Sequence, residues 1–299
     1  MRKILFTGGK GLLGKYFMKN IPKDYFVFAT FLRNKENEDK KKNIKYIKLD
    51  IRERSNVRKV LNNYKPEVII HAASLGNVDY CEKYRKEAWE ANVEGTINIA
   101  EEARKINASL LYLSSNAIFN GVNPPFSEKS RPFPVDYYGI TKLEAEKEIK
   151  KRHKNYIIVR LMTMYGWNNK NERQNPVSWI IEQLKSGKEL KIVNDIYNNY
   201  LYADDAALVL WKIILKNKKN EIYNVAGSEC ISRFDLALKV AKVFNFDKKL
   251  LIPVSSDYFV SIAPRPKNTC FDIKKIVTIL DAKPNDVLNG LRLMKNEKN

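Results

Sequence analysis

A glycine-rich loop between a strand and a helix, at the start of the chain, restricts the possible folds more than any other feature. Residues 3–7 form a short apolar run, residues 7–14 read TGGKGLLG, and a helical pattern follows. Gly8 permits a tight turn, Gly11 lets the backbone approach a pyrophosphate, and Gly14 lets the helix pack closely on the strand. The helix N-terminus, with the N–H groups of Leu12 and Leu13, would then face the anion. We therefore predict a dinucleotide-binding loop here.

Strand and helix patterns alternate from this loop to about residue 160. The alternation predicts an α/β fold built on a doubly wound parallel sheet of the Rossmann type. Residues 83–105 read as one long helix, and the elements beyond residue 160 are shorter and separated by loops. We expect a Rossmann domain over residues 1–165, completed by parts of 189–226. A smaller α+β substrate-binding lobe would take up most of residues 166–299.

The composition narrows the classes of partner. The 299 residues carry a net charge of +20, but the Lys residues are scattered and interleaved with Glu. This distribution is typical of a solvated surface, so we expect no nucleic-acid binding. The positive electrostatic field of the protein would nevertheless attract an anionic, nucleotide-linked substrate. No apolar run is long enough to span a bilayer, and the three Cys are widely spaced. We expect a cytoplasmic protein with no metal site and no disulfide.

The end of the second predicted strand indicates the cofactor. NAD-binding folds usually place an Asp or Glu there to bond the adenosine ribose, but this chain has no carboxylate at that point and continues to Arg33. A guanidinium can bind a 2′-phosphate through several donors, so we predict NADP(H). Asp50 ends the third strand, and its carboxylate either reaches the adenine amine or belongs to the local loop.

Tyr138 and Lys142 stand one helical turn apart, which places both side chains on one face of a helix. A neighbouring ammonium favours phenolate and is expected to lower the pKa of the Tyr from about 10. Such a Tyr can donate or accept a proton while a hydride moves at a carbonyl carbon. An upstream strand ends in Ser114 and Ser115, and either hydroxyl is a candidate to contact that carbonyl.

Six motifs in order resemble the extended short-chain dehydrogenase/reductase family, and in particular its dTDP-4-dehydrorhamnose reductase branch. They are the glycine loop and residues 71–82 (HAASLGNVDYCE), 113–121 (LSSNAIFNG), 138–142 (YGITK), 160–166 (RLMTMYG) and 265–272 (RPKNTCFD). The likeness covers nearly the whole chain. It implies an oxidoreductase that uses a nicotinamide dinucleotide on a nucleotide-diphosphate sugar, and homodimers are frequent for such folds.

The resemblance also implies roles for single residues. Ser115 would hydrogen-bond the substrate carbonyl, Tyr138 would protonate the nascent alkoxide, and Lys142 would hold the nicotinamide ribose. Further contacts implied by the likeness are Ile51, Ala72 and Ala73 for the cofactor and Ser74, Asn116, Thr163, Asn175 and Arg265 for the substrate. Arg265 is either a contact to the substrate diphosphate or part of a structural salt bridge.

Three functions are compatible with these motifs. The first is an NADPH-dependent reductase of a nucleotide-linked 4-keto-6-deoxy sugar for surface polysaccharides. The chain departs from the branch at residues 114–117, at Thr163 and at residues 195–201, which leaves the sugar open. The second is an epimerase or dehydratase, although Asn116 is not the acidic residue that dehydratases use. The third is a non-catalytic, NADP-binding regulatory subunit similar to methionine adenosyltransferase β, a likeness that includes residues 123–128.

Overall fold

The computed structural model describes residues 1–33, 41–169 and 172–297. Within these residues the strands, in chain order, are β1 (Arg2–Thr7), β2 (Tyr25–Phe31), β3 (Ile44–Lys48), β4 (Val68–His71), β5 (Ser109–Ser115), β6 (Tyr156–Leu161), β7 (Met164–Tyr165), β8 (Leu190–Val193), β9 (Tyr197–Asn198), β10 (Leu201–Tyr202), β11 (Glu221–Val225), β12 (Ile231–Ser232) and β13 (Leu251–Val254).

The α-helices of the same residues flank these strands. They are α1 (Leu12–Lys19), α2 (Arg54–Tyr64), α3 (Val78–Lys83), α4 (Arg85–Trp89), α5 (Gly95–Lys105), α6 (Tyr137–Arg152), α7 (Pro176–Lys185), α8 (Ala203–Lys216), α9 (Arg233–Phe244), α10 (Lys274–Leu280) and α11 (Val287–Asn296). No helix in the described residues has the length and apolar character needed to cross a bilayer.

Seven strands form the main sheet, in the spatial order β11-β6-β5-β4-β1-β2-β3. Every neighbouring pair in this sheet is parallel. The order runs in opposite directions on the two sides of β1 and β4, so a crevice opens between the carboxyl ends of these two strands, where ligands of such folds bind. The prediction of a doubly wound parallel sheet is confirmed.

The sheet is covered on both faces, which explains why its central strands carry apolar runs rather than an alternating pattern. Neighbouring residues of one strand enter different cores: Ile70 packs into the larger hydrophobic cluster and Ile69 into the smaller one. β1 shows the same alternation, with Phe6 in the larger cluster and Leu5 in the smaller. All four side chains are fully buried, so each face of the sheet is fixed by its own set of contacts.

The C-terminal part of the chain, from β7 onward, carries three two-stranded sheets, β10-β7, β12-β9 and β13-β8. Of the segment 189–226, which was expected to complete the main sheet, β11 pairs with β6 whereas β8 pairs with β13. The two short strands β9 and β12 are antiparallel, with Ile231 opposite Asn198. These small sheets bring the C-terminal residues over the carboxyl ends of the main strands.

The long helix expected over residues 83–105 is confirmed from Arg85 to Lys105, although its helical type changes within this range. The segment is divided at Tyr84 between α3 and α4, and a π-helical turn (Glu90–Glu94) precedes α5. Within this wide turn, Asn92 accepts a hydrogen bond from Leu75 N at 2.7 Å and donates to Thr141 Oγ1 at 3.0 Å. Such irregular turns often occur at functional sites, and this one ties the loop after β4 to α6.

The prediction that no disulfide forms is also wrong. A bridge joins Cys230 to Cys270, while Cys81 is buried and unbridged. β9 holds the two segments that carry the cysteines: it pairs with β12, which follows Cys230, and Tyr197 forms a bridge with Asn268, two residues before Cys270. Forty residues separate the cysteines along the chain, so their spacing did not reveal the contact.

Candidate active site

A cavity of about 940 Å³ lies at the carboxyl ends of β1, β4 and β5 and extends under the C-terminal part. Many of the residues predicted for the site line it. They are Gly8, Gly11, Leu12, Leu13, Gly14, Ala72, Ser74, Ser115, Asn116, Tyr138, Lys142, Thr163, Asn175 and Arg265. One continuous space therefore contains the glycine loop, the Tyr–Lys pair and the expected substrate residues.

The glycine loop has the geometry expected of a phosphate cradle. Gly8 has a φ of +70°, which favours glycine, and a Cβ on Gly14 would stand 2.1 Å from the carbonyl oxygen of Gly9. No side chain of the described residues caps the start of α1. The helix N-terminus therefore faces the cavity with its backbone dipole, which favours an anion such as a pyrophosphate.

A buried hydrogen-bond network fixes this loop to β4. Thr7 Oγ1 accepts from the N–H groups of Ala72 (3.0 Å) and Ala73 (3.1 Å), so its own proton goes to His71 Nδ1 at 2.8 Å. The proton of the imidazole then lies on Nε2, which is 3.0 Å from Thr96 Oγ1. Burial, aided by the positive charge of Lys142, lowers the pKa of His71 to about 3, so the ring is neutral.

Four residues predicted to contact the cofactor are not among the residues that line the cavity in the described part of the chain: Arg33, Asp50, Ile51 and Ala73. Arg33 is exposed just past the end of β2. Asp50 is ion-paired with Arg52 at 2.6 Å, and this hydrogen bonding lowers the pKa of the carboxyl. The local-loop alternative for Asp50 therefore fits its contacts better than a role at the adenine.

The Tyr–Lys pair is positioned by the start of α6. Asp136 caps this helix by accepting from Gly139 N at 2.7 Å. A Cβ on Gly139 would stand 2.1 Å from the carbonyl oxygen of Ala117, so the helix and the turn after β5 are in very close contact. This close approach brings Tyr138 beside Ser115 at the end of β5.

The protonation of Tyr138 differs from the expectation. Burial raises the pKa of the phenol to about 12, although a hydrogen-bonding contact with Ser115 acts in the opposite direction. The predicted lowering by Lys142 is therefore wrong for this structure, because desolvation of the phenolate dominates. The phenol is fully protonated near neutral pH, which is the form that donates a proton.

Lys142 is almost completely buried beneath the cavity. Its Nζ donates to the carbonyl oxygen of Leu113 at 2.7 Å and lies 4.3 Å from the centre of the Tyr112 ring. Burial lowers the pKa of this ammonium to about 7, while the nearby Glu146 carboxylate raises it. The side chain can therefore lose its charge within the physiological pH range.

Both serines at the end of β5 line the cavity. The Ser115 hydroxyl accepts from Ala117 N at 3.2 Å and contacts Asn116 Oδ1 at 3.3 Å. The hydroxyl of Ser114 is buried and has no hydrogen-bond partner among the described residues. Ser115, and not Ser114, acts on the pKa of the Tyr138 phenol by hydrogen bonding, which favours Ser115 as the hydroxyl that works with it.

Three of the residues expected to contact the substrate already have partners in the structure. Asn116 belongs to a neutral polar cluster with Asn198 and Thr269, in which its Nδ2 donates to Thr269 Oγ1 at 2.8 Å. Asn175 caps α7 and donates to Gly166 O at 2.7 Å, so both ends of its amide already have partners. Arg265 is ion-paired with Asp79 at 2.7 Å, as in the salt-bridge alternative.

Several lining residues were not predicted as site residues. They are Arg173, Trp179, Asn198, Arg233 and Thr269. Asn198 lies in the segment 195–201, which departs from the branch pattern, and Thr269 lies inside the motif 265–272. The others come from loops and helix starts in the C-terminal part, and only the tertiary structure brings them to the cavity.

Comparison with known proteins agrees with this geometry. The family model described as "RmlD substrate binding domain" matches residues 1–298. The structure of dTDP-4-dehydrorhamnose reductase from Bacillus anthracis, in complex with NADP, superimposes with a TM-score of 0.88 at 28% identity, and the match covers 99% of this chain and 100% of that one.

Two similar sequences represent different kinds of protein. The dTDP-4-dehydrorhamnose reductase of Aggregatibacter actinomycetemcomitans is 27% identical over 305 residues, covering 98% of each chain. Methionine adenosyltransferase 2 subunit beta of Bos taurus is 26% identical over 285 residues, covering 93% of this chain and 82% of that protein. Since the family model spans nearly all of the chain, the protein belongs to the RmlD substrate-binding domain family, in the dTDP-4-dehydrorhamnose reductase-like branch of the extended short-chain dehydrogenase/reductases.

Proposed function

We propose that this protein is an NADPH-dependent reductase of a nucleotide-linked 4-keto-6-deoxy sugar, used to make sugars for surface polysaccharides. One observation carries the proposal: Ser115, a protonated Tyr138 and Lys142 line the same cavity as the glycine loop. A ketone against the two hydroxyls would be within the space that the loop shares with them.

The chain's own residues are suited to hold NADP(H). The glycine loop offers backbone N–H groups and no side-chain bulk, and a Cβ on Gly8 would be 3.1 Å from the backbone nitrogen of Ala73. Arg33, just past the end of β2, is the residue that we propose for binding the 2′-phosphate. The NADP in the Bacillus anthracis relative supports this choice. When bound, the cofactor would supply the hydride.

The protein would supply the proton and the orientation. The Tyr138 phenol, with its pKa raised to about 12, donates its proton to the carbonyl oxygen as negative charge develops there. The Ser115 hydroxyl holds the same oxygen in place. Lys142, one helical turn after Tyr138 on α6, lines the same cavity and would hold the nicotinamide ribose.

Replacement of Tyr138 by Phe tests the proposal. A panel of 4-keto nucleotide sugars is supplied and the loss of NADPH absorbance is followed; we expect turnover by the parent and a decrease in kcat of about 10²- to 10⁴-fold in Tyr138→Phe, with NADPH binding unchanged. Tyr137→Phe is the matched control and should keep parental activity. If no member of the panel consumes NADPH, or if Tyr138→Phe is as fast as the parent, the proposal fails.

A second candidate is a regulatory subunit that binds NADP and acts by contact with a methionine adenosyltransferase. The likeness to the Bos taurus β subunit, which covers 93% of this chain, favours it. Co-expression with the methionine adenosyltransferase of the same organism, followed by size-exclusion chromatography, separates the two candidates. A stoichiometric complex together with an inactive sugar panel would favour the regulatory role.

A further inference from the structure

Arg233 brings a positive charge to the cavity wall without a counter-ion among the described residues. It begins α9, and its N–H donates to Ile196 O at 2.9 Å, which places its side chain along the wall of the cavity. Its Nε is buried and has no hydrogen-bond partner among the described residues, and no carboxylate of that part of the chain is ion-paired with it. A buried guanidinium nitrogen without a partner is costly unless a ligand supplies one.

The other cations of the cavity are already engaged. Arg265, the residue that the family resemblance suggested for the diphosphate, is neutralised by Asp79 at 2.7 Å. Lys142 donates to Leu113 O, and Arg173 donates to Gly76 O at 3.1 Å. Arg173 uses one guanidinium nitrogen for this bond. Of these described cavity-lining residues, Arg233 is the one whose guanidinium has a buried nitrogen without a partner, which an anionic ligand could supply.

The order of groups along the cavity indicates where on the ligand this anion lies. Ser115 and Tyr138 are followed by Asn116, whose Nδ2 is 3.4 Å from Asn198 Oδ1. Asn198 is opposite Ile231, two residues before Arg233. The sequence of groups is thus two hydroxyls, a neutral hydrogen-bonding cluster and then a cation. It fits a substrate with a carbonyl, a hydroxylated ring and an anionic group in that order.

We propose that Arg233 anchors the diphosphate of the substrate, in place of Arg265. The inference rests on the proposed function in that it takes the substrate to be nucleotide-linked. A guanidinium suits the task because its planar set of donors can bind two phosphate oxygens at once. The same cavity is also lined by the apolar side chains of Ile192, Ile196 and Trp179, which suit the base of a nucleotide.

The test is direct binding of dTDP, UDP and GDP, and of the matching nucleosides, measured by calorimetry on the whole protein. We expect at least one diphosphate to bind the parent and Arg233→Gln to bind it about ten- to a hundredfold more weakly. Arg233→Lys should lie between the two, and the nucleoside should bind the parent and the variants equally. Lys242→Gln removes a positive charge from the exposed side of the same helix and should bind like the parent.

Binding of NADPH, measured in parallel, should be unchanged in every variant, which separates local loss of the anchor from misfolding. The inference is overturned if none of the diphosphates binds the parent, if Arg233→Gln and Arg233→Lys bind like the parent, or if Arg265→Gln alone weakens binding. This test measures binding rather than turnover. If the reductase assay fails but diphosphate still binds and depends on Arg233, the result counts against the proposed reaction and not against the role of Arg233.

Discussion

At the scale of single residues, burial decides the charge of the groups around the glycine loop. The His71 imidazole is neutral because its pKa is lowered to about 3, while the same group in the unfolded chain keeps a pKa of about 6.5. Between these two values the unfolded chain binds a proton that the folded protein does not. The contribution of His71 to the free energy of unfolding therefore decreases as the pH falls from about 6.5 toward 3.

We therefore predict that the parent loses stability faster than His71→Gln over this pH range, by about 1.4 kcal/mol per pH unit. Gln keeps an acceptor and a donor for Thr7 and Thr96 but cannot titrate. Urea unfolding at several pH values between 6.5 and 4 measures the difference. Equal slopes for the two proteins would show that His71 takes up its proton in the folded state.

The residue scale also shows how far spacing can predict chemistry. The interval of four residues correctly placed Tyr138 and Lys142 on one helix, because that depends only on the helical period. The protonation of Tyr138 depends on solvent exclusion by β5, the loop after it and α3, all distant in the chain. The predicted lowering of its pKa was therefore wrong, although the predicted position was right.

At the scale of elements, the site depends on the close approach of α6 to the turn after β5. We predict that Gly139→Ala destabilises the protein by about 1–3 kcal/mol, because the new Cβ would stand 2.1 Å from the carbonyl oxygen of Ala117 and must displace the helix. A displacement of about 1 Å at Tyr138 would lower kcat by about a hundredfold. Thermal unfolding and the NADPH assay measure the two effects.

Gly76→Ala is the matched control, because no atom of the described residues lies within 4 Å of the position that a Cβ would take and its φ is not in the left-handed range. It should unfold like the parent. If Gly139→Ala also behaves like the parent, α6 tolerates a larger separation from β5 than the packing indicates. The inference that this contact positions Tyr138 would then be wrong.

Elements were predicted well where one local pattern sufficed. The apolar runs correctly predicted the strands Tyr25–Phe31 and Glu221–Val225. Ser232 was correctly predicted near the start of α9, and its hydroxyl caps this helix by accepting from Asp235 N. The break at Tyr84 and the π-helical turn were missed. Within the π-helical turn, Asn92 bonds to Leu75 and Thr141, and helical periodicity contains no information about such contacts between distant segments.

At the scale of the whole molecule, the Cys230–Cys270 bridge joins the start of α9 to the segment that carries Thr269. We predict that thiol titration of the denatured, unreduced protein detects one thiol, that of Cys81, and detects three after reduction. Because the bridge spans 40 residues, its removal in Cys270→Ser should lower the free energy of unfolding by up to about 4 kcal/mol. Three thiols without reductant would contradict the bridge.

The amino-acid sequence alone determined the parallel sheet, the glycine loop and the helix that carries Tyr138 and Lys142, because each depends on the spacing of neighbouring residues. The tertiary structure decided which distant segments contact one another. It paired Arg265 with Asp79, 186 residues away, joined two cysteines 40 residues apart, and left Arg233 at the cavity with no counter-ion in the described part of the chain. Charge pairing and desolvation depend on which surfaces meet, and only the folded chain specifies that.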